Sequence, residues 1–168
     1  VGFDQESVDL NAYLYAEKKY IVMLARAIGE KKTEEYYRRQ LEPLKEQIRQ
    51  RFYDDESGYF YDVRDDGSFV KVAGPEAWII LWAEIAGREQ AGAVIRKIMD
   101  TACFNTYLPF PTLSAAHPGF DPEDGYWRGP VWIDQAWFAL EGMKKYGYTD
   151  EYMLMKNKLL TRAEGLME

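Results

Sequence analysis

Residues 126–132 read YWRGPVW: a tyrosine, two tryptophans five positions apart, an arginine and a Gly-Pro pair. A buried indole must place its N–H, and arginine is rarely buried unless paired, so a plain core segment would use Leu and Ile instead. Flat apolar rings beside a fixed positive charge suit a polar ligand with apolar faces. A sugar is such a ligand, because indoles cover the C–H faces of a pyranose while its hydroxyls take directed hydrogen bonds. Tyr126, Trp127, Arg128 and Trp132 are therefore the candidate substrate-binding residues. The competing reading is packing at a helix start. Five apart is not one helical face, so the two rings are expected to be split between a loop end and a helix start. Arg128 either holds a sugar hydroxyl or orients a carboxylate through charge-assisted hydrogen bonds, or pairs with an acidic neighbour for structure alone.

Other residues carry less. Trp137 reads as core, and Asp134 as a partner for Arg128 or a helix-start charge suited to the macrodipole. Glu76 in GPEAW also lies near a helix start, and Asp9 and Asn11 in DLNAY read as architectural hydrogen-bonders. His117, the only histidine, has no partner Ser or Cys motif, which gives histidine-based nucleophilic catalysis little support. There is no metal-ligand spacing and no phosphate-cradling glycine loop, so neither a metal nor a cofactor is expected.

The 168 residues suit one domain or part of a larger one, and 47% apolar residues is ample for a core. A formal charge of −7 without a Lys/Arg stripe argues against nucleic acid. No apolar run reaches the length of a membrane span. Cys103 alone forms no internal disulfide and allows a reducing compartment, so a cytoplasmic location is expected.

Helical periodicity alternates along the chain. Residues 7–29 carry two neighbouring apolar stripes, Leu10-Leu14-Ile21-Leu24-Ile28 and Tyr13-Ala16-Tyr20-Met23-Ala27, predicting an inner helix covered on both sides. A second helix is expected to start at a Thr33 cap, with one narrow stripe and Pro43 as a kink or false start. Residues 75–86 and 130–146 are again apolar on several faces, whereas 88–102 and the Thr149-capped last segment, ending its stripe at Leu166, carry one stripe each. The expected fold class is all-α: three αα-hairpins, with a small β-hairpin insertion near 53–72 marked by Glu-Ser-Gly and Asp-Asp-Gly turns. Residues 104–129 hold four of the seven prolines and form a long loop, a feature that tends to be functional. That loop delivers YWRGPVW to an inner-helix start.

The runs DLNAYLYAEK (9–18), FYDDESGYFYD (52–62), GPEAWIILWA (74–83), FNTYLPFPTLSA (104–115) and GYWRGPVWIDQ (125–135) together resemble glycoside hydrolase family 63. The likeness extends to its glucosidase-like and mannosylglycerate-hydrolase-like members and covers nearly the whole chain. It implies an (α/α)6 toroid of inner and outer helices, of which three hairpins are half, making residues 1–168 a partial catalytic domain. It also implies inverting hydrolysis of an α-glycosidic bond by two carboxyl groups roughly 6.5–9.5 Å apart, with room for water between them. In the family the general acid is an Asp in a Gly-Trp/Met-Asp-like segment upstream of DLNAY. The base is a Glu in a Glu-Asn-Tyr-Asn-Pro-like segment after the last outer helix. Asp4, in GFDQE, does not match the first, and Glu168 stops short of the second, so no catalytic residue is assigned here. Some members carry a bound cation, for which this sequence has no local signature. The expected partners are a carbohydrate substrate and either self-association or the complementary half of the toroid. The alternative is a non-catalytic α-hairpin module that binds carbohydrate or a protein.

Overall fold

The computed structural model describes residues 4–163; Leu166 and Glu168 lie outside them. Six helices and four two-residue strands follow one another in it. Helix α1, Val8–Ala27, starts where Ser7 is extended and its hydroxyl accepts the Leu10 N–H, and Gly29 in the left-handed region follows its end. The Asn11 amide donates to the Ser7 carbonyl at 2.8 Å, the architectural role expected of it.

Helix α2, Lys31–Phe52, begins two residues before the expected Thr33 cap, with Glu30 at its N-cap making no side-chain cap bond. It runs unbroken through Pro43. Strands β2 (Tyr53–Asp54) and β3 (Tyr59–Phe60) form the expected hairpin. Strand β4 (Val63–Arg64) pairs instead with β1 (Gln5–Glu6), a distant partner that no local signal announces. Beside this pair, Asp62 accepts the Val8 N–H at 2.8 Å and the Gln5 amide at 3.0 Å, tying the β segment to the first turn of α1.

Helix α3, Glu76–Trp82, is shorter than the apolar run suggests. Glu84 adopts a left-handed φ of 62°, turning the chain while its carboxylate pairs with Lys19 at 2.6 Å. Helices α4 (Arg88–Met99), α5 (Ile133–Lys145) and α6 (Thr149–Arg162) complete three αα-hairpins. Thr149 is the first helical residue rather than the cap, which is Tyr148. Helix α3 packs between α1 and α5, while α2, α4 and α6 each lie on their own hairpin partner. The centre of α3 is fully enclosed from Ala77 to Leu81. Gly142 brings α5 closest to it: a Cβ there would sit 2.7 Å from that of Leu81.

The expectation that α1 is covered on both faces fails within this chain. Val8, Ala12, Tyr15, Ala16, Val22 and Ala25 are buried, but Leu10, Leu14 and Leu24 are exposed, Leu24 by 65%. A groove of about 470 Å³ runs between Leu14, Tyr20, Ile21, Leu24 and Trp82. Trp137 on α5, read as core, is 50% exposed and meets Phe138 edge-on. Both faces belong to the helices at the ends of the inner row.

Candidate functional site

Asp9, Glu76 and Asp134, from the first turns of α1, α3 and α5, share one rim, where all three act on the phenol of Tyr13. Its ring lies against Trp82 and Phe138, with centroids 6.0 and 5.9 Å away. Burial pushes the Tyr13 phenol up to about 12, and the carboxylates of Asp9 and Asp134 act in the same direction. Glu76 is displaced more strongly for its type, to about 8, chiefly by desolvation, with Asp62 and Asp9 adding to it. This rim therefore concentrates negative charge and holds one carboxyl ready to keep its proton near neutrality.

The long loop reaches the same rim. Phe104 and Phe110 anchor it in the core, edge-on to Trp78 at 5.1 and 6.1 Å. Thr112 fastens its far end: its hydroxyl donates to the Pro130 carbonyl at 2.9 Å and accepts the Gly129 N–H at 3.3 Å. Between these anchors the chain folds tightly on Asp121. The Asp121 N–H donates to the Arg128 carbonyl at 2.7 Å, the Asp121 carbonyl accepts the Gly125 N–H at 3.1 Å, and the Gly125 carbonyl accepts the Arg128 N–H at 2.9 Å.

All four sequence-predicted residues sit at this place, Trp127 in the turn that ends the loop and Trp132 at the N-cap of α5, the split that their spacing suggests. Across that junction the two rings stack, a contact the spacing does not announce: they are parallel within 2°, with centroids 4.6 Å apart. Tyr126 is left-handed at φ 55°, stands edge-on to both indoles, and accepts the Trp132 N–H on its carbonyl at 3.1 Å. Each indole thus spends one face on the other. Trp127 is 47% exposed and Trp132 more sheltered, so the ring with surface to spare is Trp127. Arg128 pairs with Asp121 at 3.4 Å and not with Asp134, which instead accepts from Gln135 at 3.1 Å. An exposed pair of this kind contributes little to stability. Against the Gly129–Val131 backbone lies an apolar cleft of about 340 Å³ whose walls include Tyr107, Leu108, Pro111 and Phe120, and neither indole.

His117 accepts the Gly119 N–H on Nδ1 at 3.0 Å, a turn-closing role. No group of three or more His, Cys, Asp or Glu suited to a metal ion occurs among the described residues. Sequence reasoning missed Asp121 and Thr112. The Asp-Pro pair at 121–122 was the available signal for the first, since such a pair favours turn initiation.

A family model described as the mannosylglycerate hydrolase MGH1-like glycoside hydrolase domain matches residues 1–166. The chain belongs to this family. Mannosylglycerate hydrolase of Rubrobacter radiotolerans is 27% identical over 170 residues, spanning 97% of this chain and 38% of the relative. Mannosylglycerate hydrolase MGH1 of Selaginella moellendorffii is 33% identical over 118 residues, covering 62% of this chain and 23% of that one. This chain thus spans well under half the length of these relatives. Among solved structures, the GH63 mannosylglycerate hydrolase of Thermus thermophilus in complex with glucose superposes with a TM-score of 0.81 at 22% identity, over 92% of this chain and 38% of that one. Neutral trehalase Nth1 of Saccharomyces cerevisiae gives 0.80 at 21% identity, over 93% of this chain and 30% of its own. The three hairpins are accordingly half of an α/α toroid of the glycosidase type, and no helix among the described residues is long and apolar enough to cross a membrane.

Proposed function

We propose that this chain forms the sugar-binding side of an inverting α-glycoside hydrolase whose general acid and base lie outside residues 1–168. The observation that carries this reading is the stacked Trp127–Trp132 pair, held at the start of an inner helix with the Trp127 face open. A single open indole face suits one pyranose ring laid flat against it, with polar neighbours at its edge for the hydroxyls. Tyr126 supports the two indoles edge-on, and Arg128, next in the chain to Trp127, is the charged group proposed for a sugar hydroxyl. The substrate class proposed is a mannosylglycerate, after the names of the relatives. Residues 1–168 are then a partial catalytic domain, and the open faces of α1 and α5 are where the complementary helices or a second copy pack. A cytoplasmic location is part of the same reading, supported by the single Cys103.

Tryptophan fluorescence titrated with mannosylglycerate tests the proposal. Saturable quenching that Trp127→Ala abolishes, without release of mannose by the chain alone, is the expected result. No saturable change, or hydrolysis by the chain alone, overturns it.

A further inference from the structure

We infer that Asp121 is a positioning residue for the tryptophan pair: it closes the 121–129 turn, and that closure presents the Trp127 face. The inference rests on the sugar-site reading for its consequence, though not for its geometry. Asp121 uses every hydrogen-bonding group it has. Its N–H and carbonyl bind the Arg128 carbonyl and the Gly125 N–H, its Oδ1 accepts the Asp124 N–H at 3.0 Å, and its Oδ2 pairs with Arg128 at 3.4 Å.

Two glycines permit this density. A Cβ on Gly125 would lie 2.2 Å from the Asp121 carbonyl oxygen, and one on Gly129, at φ +152°, would lie 2.7 Å from the same carbonyl. No side chain fits at either place without prising the turn open. Fixing Gly125 and Arg128 leaves Tyr126 and Trp127 as the crest between them. Tyr126 is thereby forced into the left-handed region, where its carbonyl meets the Trp132 indole N–H. The chain of cause runs from Asp121 through Gly125 and Arg128 to Tyr126, and from there to the stack.

The side-chain contribution is the Oδ1 bond to the Asp124 N–H, three residues on, which spans the Asp-Pro corner. The exposed ion pair with Arg128 adds little. Closely stacked indoles couple their transitions, and where the in-plane transition moments are twisted relative to one another the coupling gives a paired positive and negative band in circular dichroism, which a merely destabilised but folded chain would retain.

The test is to record that couplet, the helical signal and glucose-induced fluorescence change for the wild type, Asp121→Ala, Asp121→Asn, Arg128→Met and Gly125→Ala. Asp121→Ala and Gly125→Ala are expected to lose the couplet with helical content unchanged, and to bind glucose roughly tenfold more weakly. Asp121→Asn keeps an acceptor for Asp124 and is expected to retain both signals, as is the couplet in Arg128→Met. A full couplet in Asp121→Ala overturns the inference. Should that variant not fold, a full couplet in Gly125→Ala overturns it equally. A wild type with the couplet but no response to glucose counts against the sugar site and leaves the positioning role standing on the couplet alone.

Discussion

Trp127 and Trp132 lie face to face, 2° from parallel with centroids 4.6 Å apart, although five residues separate them. Residue spacing on a helix could not bring this about, because only Trp132 adjoins one. The turn that carries Trp127 folds back over Trp132, the N-cap of α5. Rings so paired each keep one outer face, and Trp127 is the more exposed of the two.

Trp127→Ala should therefore separate function from stability. The ring is half exposed and outside the main core, so its loss should cost about 1 kcal/mol or less in unfolding free energy. Affinity for a pyranose probe should fall by about tenfold or more, since the face that covers the ring is gone. Urea unfolding and fluorescence titration of the same samples compare the two. Equal losses in both would mean that the indole only packs.

Glu76 sets the pH dependence. Its carboxyl lies at about 8 in the folded chain, against an ordinary value of 4.5, because it is desolvated beside Asp62 and Asp9. Between those two values the folded state keeps a proton that the unfolded state has lost. Stability from this group is thus fully present below about pH 4.5 and declines as pH rises through 8. Glu76→Gln should flatten that decline and raise stability at pH 9 by on the order of 1–3 kcal/mol. Thermal midpoints of both proteins from pH 5 to pH 9 check the sign: a wild type that gains stability across this range would refute the assignment.

Gly142 offers a test of the inner row. Alanine is worth about 1 kcal/mol more than glycine in a helix interior, yet a Cβ here would meet Leu81 Cβ at 2.7 Å and the Trp82 amide nitrogen at 3.2 Å. The second contact is with backbone, which yields less readily than a side chain. Gly142→Ala should destabilise by about 1–3 kcal/mol net of its propensity gain, because α5 must move off α3. A stabilised variant, seen as a higher urea midpoint, would show that the two helices have slack between them.

These contacts show which features the sequence made legible. The 3.6-residue periods of α1, α4 and α5 follow from burying one or two stripes, and the long proline-bearing loop had no period to follow. Thr33 and Thr149 misled because a threonine before an apolar stripe resembles a cap, while both helices begin without any side-chain cap bond. The β1–β4 pairing joins residues nearly sixty positions apart through strands too short to show alternation. Trp137 misled differently: its apolar character reads as core, yet it lies half exposed on α5 at the end of the inner row. Near the site, YWRGPVW drew attention by composition, but the stack depends on how Asp121, Gly125 and Gly129 close a turn, and pairing of that kind leaves no periodic trace.

The open face of α1 leads to the last prediction. Leu10, Leu14, Leu24 and Ile28 are exposed along one side, and Ile133 and Trp137 are exposed on α5 at the other end of the inner row. Each large apolar side chain left wet forgoes about 1.5–3 kcal/mol relative to full burial, so covering several of them amounts to much of a domain's total stability of about 5–15 kcal/mol. The isolated chain should therefore self-associate, burying the α1 groove in a second copy when no complementary helices are present. Sedimentation velocity across a concentration series should show a species larger than the monomer. Leu24→Glu with Ile28→Glu should return it to monomer while leaving the unfolding free energy of the monomer within about 0.5 kcal/mol, because both side chains are already mostly in water. Charged residues on this face that leave the assembly intact would place the contact elsewhere. A wild-type chain that stays monomeric at every concentration would show that the exposed stripe is tolerated in solution, and that the α1 face does not need a partner.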